Sequence, residues 1–204
     1  KTIKKNKILF PKLIKKNSLK QTLIKNFKSF GSQNVKKLEN KNYNLKKNEY
    51  FQELIDGKRI SVQFISKIRQ LRIISVCDQV FKKKTFFIDY LITKRLSKKK
   101  QNQIYTLVKK IVKIFNLKGI NNIDIIDKKN KLYLIEINSR PGLSSNIIYK
   151  INKSPFIQNK NNLQNNLLAT KIIYSSKQIT INKKIIKFFK EYCNPNNFSE
   201  LPNE

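Results

Sequence analysis

The chain has 204 residues, of which 39% are hydrophobic, and a formal net charge of +33. This length allows one medium domain or two small packed subdomains. The absence of His and the presence of only two Cys exclude a His-based catalytic triad, a Cys/His zinc site and a disulfide framework.

No apolar run approaches the ~20 residues that cross a bilayer. The basic start of the chain also lacks the apolar core of a signal peptide. We therefore expect a soluble, cytoplasmic protein with no membrane partner. Because no Met occurs, even at position 1, we expect the chain to be a piece of a longer protein.

The chain contains 45 Lys and Arg against 12 Asp and Glu, an excess that is common in nucleic-acid-binding proteins. Here the Lys residues are spread over every segment, and Asn and Ile are also abundant, which indicates AT-rich coding rather than a local basic patch. We expect no specific nucleic acid partner. A basic nucleic-acid-binding protein is the more distant alternative, which a salt-dependent DNA-binding measurement would test.

The first third of the chain combines a basic segment, a strand and two loops. Residues 1–20 are expected to be the end of a preceding region or a linker. Residues 22–25 form an apolar strand that ends in Lys25. A loop of small residues over 27–34 and a polar loop over 36–48 follow.

Strands dominate the next part of the chain. Residues 50–55 and 60–65 are predicted strands on either side of Asp56-Gly57, which is a strong turn signal. We expect this segment to cross from a small sheet to a larger one. Residues 69–80 and 86–89 are predicted as further strands.

A helix follows, because the apolar period changes from strand-like to helical after Ser97. Ser97 is the expected N-cap, and Gly119 lies shortly after the expected end. A short helix over 144–151 and a terminal hairpin of 171–174 with 178–181 are expected further along. The helical stripe that should cover the sheet consists of Ile104, Leu107, Val108, Ile111, Val112, Ile114 and Phe115.

The most informative stretch is a predicted hairpin with strands over 122–127 and 132–138 and a polar turn over 128–131. Side chains two positions apart on a strand share a face, so Glu136 and Asn138 should point the same way. The residues expected to point the other way, into the core, are Tyr133, Ile135 and Ile137.

If the turn pairs position 124 with position 136, Asp124 joins Glu136 and Asn138 on one face. Two carboxylates and an amide oxygen form the kind of all-oxygen ligand set that holds Mg²⁺. The alternative is that these side chains are solvated on the exposed face of an ordinary hairpin. The scarcity of acidic residues in this chain favours the metal site.

Three motifs, in the right order, resemble those of the ATP-grasp superfamily. The string EINSRPG at 136–142 resembles its metal-binding end, and QELIDG at 52–57, followed by a strand, resembles the hinge that holds adenine. Residues 22–35 resemble its strand Lys and the loop over the phosphates. The residues that match at the metal-binding end are Gly119, Asp124, Glu136, Asn138, Arg140, Pro141 and Gly142.

The resemblance implies an α+β protein with the ATP-grasp fold, in which a small β-rich lid subdomain accompanies a larger antiparallel-sheet subdomain with covering helices. The implied division is 1–20 as the end of a preceding region or a linker, 21–55 as part of the lid subdomain, 56–152 as the C-terminal subdomain with the metal site, and 153–204 as a C-terminal extension.

The resemblance also implies ATP and Mg²⁺ (or Mn²⁺) as cofactors. Lys25 and Arg140 would be catalytic, and Asp124, Glu136 and Asn138 would hold the metal ion. The residues implied to bind the nucleotide are Lys25, Ser29, Gly31, Ser32, Gln52, Glu53, Leu54 and Ile55.

The implied activity is ATP-dependent ligation of a small-molecule carboxylate to an amine or a thiol through an acyl phosphate. The string SVCDQVF at 75–81 resembles a branch of the superfamily in which some members are tied to tetrahydromethanopterin and methanofuran synthesis. A homodimer is a further expectation. Because the loop over 27–34 has a single Gly, a catalytically impaired relative that still binds nucleotide is the main alternative.

Three of the matching features also have a structural interpretation. The loop over 27–34 resembles a polar surface turn. Glu53 is equally compatible with an exposed acid on an edge strand, and Arg140 with a surface salt bridge to Glu136.

Overall fold

Alternating apolar residues give the chain its strands. A computed structural model describes residues 7–14, 21–27, 34–40, 42–68, 70–145, 147 and 168–172. Its strands are β1 (Leu13–Ile14), β2 (Thr22–Asn26), β3 (Lys36–Lys37), β4 (Glu49–Glu53), β5 (Lys58–Lys67), β6 (Gln70–Phe81), β7 (Ile88–Thr93), β8 (Gly119–Lys128), β9 (Lys131–Asn138) and β10 (Ala169–Lys171), and helix α1 (Lys98–Phe115) lies between β7 and β8. The predicted strand over 178–181 and most of the predicted helix over 144–151 lie outside the described residues.

The strands form two antiparallel sheets. The small sheet has the order β1-β4-β2-β3, and the large sheet has the order β10-β7-β6-β5-β8-β9. Every neighbouring pair in both sheets runs antiparallel. The predicted α+β class, with a small β-rich unit and a larger antiparallel sheet, is confirmed.

The main core lies between the large sheet and α1. On β5, Ile60, Val62 and Phe64 alternate with polar residues and are almost completely buried. Helical spacing brings Ile104 and Val108 of α1 onto the same core. Burying each such side chain stabilises the fold by about 1.5–3 kcal/mol, so this layer fixes the position of the large sheet. The other buried members of the core are Ile8, Ile111, Ile123, Ile125 and Leu134.

The ends of α1 follow the sequence only in part. The Ser97 side chain accepts a hydrogen bond from the backbone N–H of Lys100, which confirms the predicted N-cap. The helix ends in the left-handed residue Asn116, whereas Gly119 begins β8. Phe115, predicted to lie on the buried stripe, is 39% exposed, so the prediction is wrong for this residue. No helix in the described part of the chain is long and apolar enough to cross a membrane.

Residues 54–57 connect the two sheets. The predicted crossing is confirmed, because β4 belongs to the small sheet and β5 to the large one. Asp56-Gly57 is therefore a crossover and not the turn of a hairpin. A Cβ atom at Gly57 would lie 2.6 Å from the backbone oxygen of Asp127, so only glycine allows the connection to pass this close to the end of β8.

The segment before residue 20 contacts both sheets. Leu13–Ile14 pair with β4, which places β4 inside the small sheet and not at its edge. The backbone oxygen of Leu9 accepts a hydrogen bond from the N–H of Leu134 in β9. Part of the predicted linker is thus integrated in the fold, while the domain boundaries stay a prediction.

Candidate active site

The central hairpin consists of β8 and β9. Its turn residues Lys129 and Asn130 both have positive φ angles, of 48° and 64°, as a two-residue type I′ turn requires. The turn sets the register that the sequence predicts, with Asp124 directly opposite Glu136. Two carboxylates therefore lie side by side on one face of the large sheet.

The sequence predicts that Tyr133, Ile135 and Ile137 point into the core. This prediction is wrong for Tyr133 and Ile135, whereas Ile137 packs against the core. The register shifts by one residue between Asp124 and Ile125, and Ile125 pairs with Leu134, so Ile135 forms a β-bulge. The bulge reverses the alternation. Leu134 is consequently the buried core residue, and Ile135 lines the same cleft as Glu136.

The carboxylate pair faces a cleft of about 300 Å³ between the two sheets. Lys25 of β2 lines this cleft from the small sheet, and Asp124 and Glu136 line it from the large sheet. The structure thus brings together three residues that the sequence separates by up to 111 positions. The residues of the predicted hinge, all of which line the same cleft, are Gln52, Glu53, Leu54 and Ile55.

Neutral hydrogen-bond donors hold Asp124 in place. The side-chain amides of Gln79 and Asn122 donate to its Oδ1 atom, at 2.9 and 3.2 Å. The Oδ1 atom of Asn122 in turn accepts a hydrogen bond from Ser61 at 2.9 Å. Burial, and secondarily the charge of Glu136, raise the pKa of Asp124 to about 6. A buried carboxylate beside a second one is stabilised by a cation.

Lys25 and Glu136 interact across the cleft. Burial lowers the pKa of the Lys25 ammonium, the charge of Glu136 opposes this shift, and the positive charge of Arg59 adds to it. The cleft is therefore lined by two positive and three negative side chains from both sheets, which are Lys25, Arg59, Glu53, Asp124 and Glu136. Such a site favours a ligand that carries phosphates together with a metal ion.

Residues 138–145 form the end of the site farthest from the hinge. Asn138 lies opposite Asn122 in the sheet, and the exposed Arg140 donates a hydrogen bond to the backbone oxygen of Pro141 at 3.1 Å. Neither Asn138 nor Arg140 is among the described residues that line the cleft. Their roles as metal ligand and catalytic residue stay predictions.

A buried glutamine anchors the turn that follows Arg140. The Oε1 atom of Gln63 accepts hydrogen bonds from the Gly142 N–H at 3.1 Å, from the Ser144 hydroxyl at 3.1 Å and from the Ser145 hydroxyl at 2.9 Å. A Cβ atom at Gly142 would lie 2.7 Å from the Asn122 side chain, which explains the glycine. The turn is therefore fixed against the polar group that holds Asp124.

Some predicted residues lie outside the described part of the chain, and some site residues were not predicted. Ser29, Gly31 and Ser32 of the predicted phosphate loop lie outside the described residues. The site residues that the sequence did not reveal are Arg59, Ser61, Gln63, Gln79 and Asn122. The alternation on β5 places Arg59 and Ser61 on the cleft face once the register is known, whereas Gln79 has no local signal.

The ligand set fits a magnesium ion that is shared with phosphates. Within the described ranges, no group of three or more Cys, Asp or Glu residues could hold a metal ion alone. Asp124 and Glu136 supply two carboxylates, and Mg²⁺ typically takes one or two carboxylates and completes its coordination with phosphate oxygens and water. The residues present therefore fit a metal ion that completes its coordination with oxygens of a bound ligand and water.

The raised pKa of Asp124, about 6, predicts a pH effect on the stability of the metal-free protein. The folded state binds the Asp124 proton more tightly than the unfolded state. Protonated Asp124 therefore adds to the free energy of unfolding below about pH 4. This contribution, about 3 kcal/mol in total, is lost as the pH rises through 6. Urea unfolding with EDTA should show Asp124→Asn gaining stability relative to the unsubstituted protein between pH 4 and 7. A difference in the free energy of unfolding between the two proteins that does not change with pH would contradict a buried Asp124 with a raised pKa.

Solved structures share this fold. A protein from Archaeoglobus fulgidus described as belonging to the ATP-grasp superfamily superposes with a TM-score of 0.59 at 17% identity, over 75% of this chain and 48% of that chain. An L-amino acid ligase from Bacillus licheniformis superposes with a TM-score of 0.60 at 17% identity, over 80% and 43% of the two chains.

A third structure is the biotin carboxylase domain of the 2-oxoglutarate carboxylase from Hydrogenobacter thermophilus, in complex with MgADP, ADP and bicarbonate. It superposes with a TM-score of 0.59 at 16% identity, over 75% of this chain and 41% of that chain. The chain thus spans less than half the length of each of these three proteins. No curated protein matches the sequence significantly.

The sequence also matches a family model, that of the ATP-grasp domain, over residues 1–144. The match begins before β1 and ends just after the turn that follows Arg140, so it includes both sheets from β1 to β9, the cleft and the carboxylate pair. Sequence and fold thus agree that this chain belongs to the ATP-grasp family.

Proposed function

We propose that the cleft binds Mg·ATP and that the protein is an ATP-dependent ligase acting on a small-molecule carboxylate. The observation that carries this proposal is the placement of Lys25 opposite the Asp124–Glu136 pair in one cleft, with the predicted hinge at the same cleft. A cation from one sheet and two carboxylates from the other are what a metal-bound polyphosphate between them requires.

The adenine would lie at the hinge. Leu54 and Ile55 offer apolar side chains at the cleft, and the backbone between β4 and β5 offers hydrogen-bonding groups to the edge of the base. The phosphates would then extend along the cleft towards Asp124 and Glu136. Lys25 is positioned to donate charge-assisted hydrogen bonds to their oxygens.

Asp124 and Glu136 would hold the metal ion, with Asn138 as the further predicted ligand. When bound, Mg²⁺ neutralises phosphate charge and polarises the transferring phosphoryl group. The amides of Gln79 and Asn122 both donate to Oδ1 of Asp124 and so fix the orientation of this carboxylate towards the ion.

The proposed reaction has two steps. A carboxylate oxygen of the substrate attacks the γ-phosphorus of ATP, the bond to the bridging oxygen breaks, and ADP leaves. An amine or thiol then attacks the carbonyl carbon of the acyl phosphate, loses a proton and displaces phosphate. Lys25 and Arg140 would stabilise the transferring phosphoryl group electrostatically.

Several finer features of this proposal rest on the sequence alone. They are Mn²⁺ as a substitute for Mg²⁺, the cytoplasmic location, the homodimer, the absence of nucleic acid and membrane partners, and the link to tetrahydromethanopterin and methanofuran synthesis.

Isotope transfer tests the proposed reaction. The protein is incubated with Mg·ATP, an amine mixture and carboxylic acids labelled with ¹⁸O in the carboxylate. We expect ADP formation that depends on one acid, and ¹⁸O in the released phosphate, because the carboxylate oxygen becomes the bridging oxygen of the acyl phosphate. Phosphate release without the label would contradict this route, and Mg·ATP binding without turnover would identify a non-catalytic relative.

A further inference from the structure

We propose that Arg59, held between Phe81 and Phe86, binds the α-phosphate of the nucleotide, the one attached to the ribose. The inference rests on the proposed binding of Mg·ATP and assigns a residue to a part of the ligand that neither the hinge nor the carboxylate pair reaches.

The position of Arg59 follows from the register of the large sheet. Ser61 lies opposite Asp124, and Arg59 lies opposite Ile126. Arg59 and Ser61 are two residues apart on one strand, so they share a face and are separated by about 7 Å along it. Arg59 is thus displaced from the carboxylate pair by one side-chain repeat, in the direction of Gly57 and the hinge.

The surroundings of Arg59 fix its guanidinium group. The guanidinium carbon lies 4.2 Å from the ring centre of Phe81 and 5.1 Å from that of Phe86. All three side chains line the cleft. Rings that contact a guanidinium group stabilise its charge and leave the N–H groups at its edge available for hydrogen bonds.

This charge lacks an ionic partner in the part of the chain that the structure describes. No carboxylate lies within 4.0 Å of the Arg59 nitrogens there. Burial lowers the pKa of Arg59, and the more distant charge of Asp56 opposes this shift. A half-buried guanidinium group without an anion is costly, and a bidentate phosphate or carboxylate satisfies it best.

The order of groups along the cleft identifies the anion. The hinge lies at one end, the Asp124–Glu136 pair lies further along, and Arg59 lies between them. If the base occupies the hinge and the metal-bound phosphates occupy the carboxylate pair, the anionic group between them is the α-phosphate. A separate carboxylate substrate would have to lie beyond the terminal phosphate, at the opposite end from Arg59.

Calorimetric titration of adenosine, AMP, Mg·ADP and Mg·ATP tests the assignment. Arg59→Gln should weaken the binding of AMP, Mg·ADP and Mg·ATP by a similar factor, about 10- to 100-fold, because all three share the α-phosphate. The binding of adenosine, which has no phosphate, should be unchanged. Lys58→Gln is the matched control, since Lys58 is an exposed neighbour of equal charge whose side chain points to the other face.

Two further variants test the role of the rings and of the planar group. Phe81→Leu should weaken the binding of the three nucleotides by about two- to fivefold. Arg59→Lys should bind them with an affinity between those of the unsubstituted protein and Arg59→Gln. Unchanged AMP affinity in Arg59→Gln, with the fold intact by circular dichroism, would overturn the assignment while Mg·ATP binding itself stands. Failure of the unsubstituted protein to bind Mg·ATP would overturn both proposals.

Discussion

Glu136→Gln should weaken Mg·ATP binding at least about tenfold and leave the fold intact. Glu136 is exposed at the cleft and lies directly opposite Asp124, so the substitution removes one charge from the carboxylate pair without changing its volume. Loss of an outer partner of a metal ligand typically costs 10- to 100-fold in metal affinity, and loss of a direct ligand should cost at least as much.

Calorimetric titration of Mg·ATP, with and without EDTA, measures this effect. The dependence of affinity on the metal ion should also shrink in Glu136→Gln, because the ion loses one of its two carboxylates. Glu39→Gln is a suitable control, since Glu39 is exposed and the substitution removes the same charge at a position away from the cleft. An Mg·ATP affinity equal to that of the unsubstituted protein would count against a metal site at this pair.

Lys25→Ala should also reduce ATP affinity, by about 10- to 100-fold, with a parallel loss of turnover. Lys25 lines the same cleft as Asp124 and Glu136, and the charge of Glu136 partly offsets the lowering of the Lys25 pKa by burial. The site without ligand contains the Lys25 and Arg59 charges close together, so a polyphosphate relieves their repulsion. Removing Lys25 should therefore lower the part of the ATP affinity that the phosphate groups contribute.

Lys37→Ala is the matched control for Lys25→Ala. Lys37 lies on β3, the strand next to β2, and its side chain is exposed. Both variants lose one positive charge from the small sheet. A general electrostatic effect would therefore weaken ATP binding equally in both variants, and it would disappear at high salt. Equal losses in the two variants would contradict a specific contact between Lys25 and phosphate.

The sequence predicts the central hairpin well because several local signals agree there. Alternating β-branched residues define both strands, and a polar turn of suitable length sets the register that brings Asp124 opposite Glu136. The bulge at Ile135 has no comparable signal, since it is an apolar residue in an apolar run. Its effect is to exchange the faces of Leu134 and Ile135.

Other parts of the site depend on contacts between distant segments. Gln79 reaches Asp124 from β6, across β5, so the pairing of three strands must be known before this contact can be inferred. Leu13–Ile14 form a strand of only two residues within a basic stretch, and pairing with β4 defines it rather than its own composition. Tertiary contacts, more than local preference, decide such elements.

The most direct test of the account is a calorimetric titration of the unsubstituted protein with ATP, in the presence of Mg²⁺ and again with EDTA. We predict one ATP per chain with Mg²⁺ and an affinity at least about tenfold weaker with EDTA, because Asp124 and Glu136 then face the phosphates without a cation between them. Absence of binding, or an affinity that does not depend on the metal ion, would contradict the assignment of this cleft to Mg·ATP.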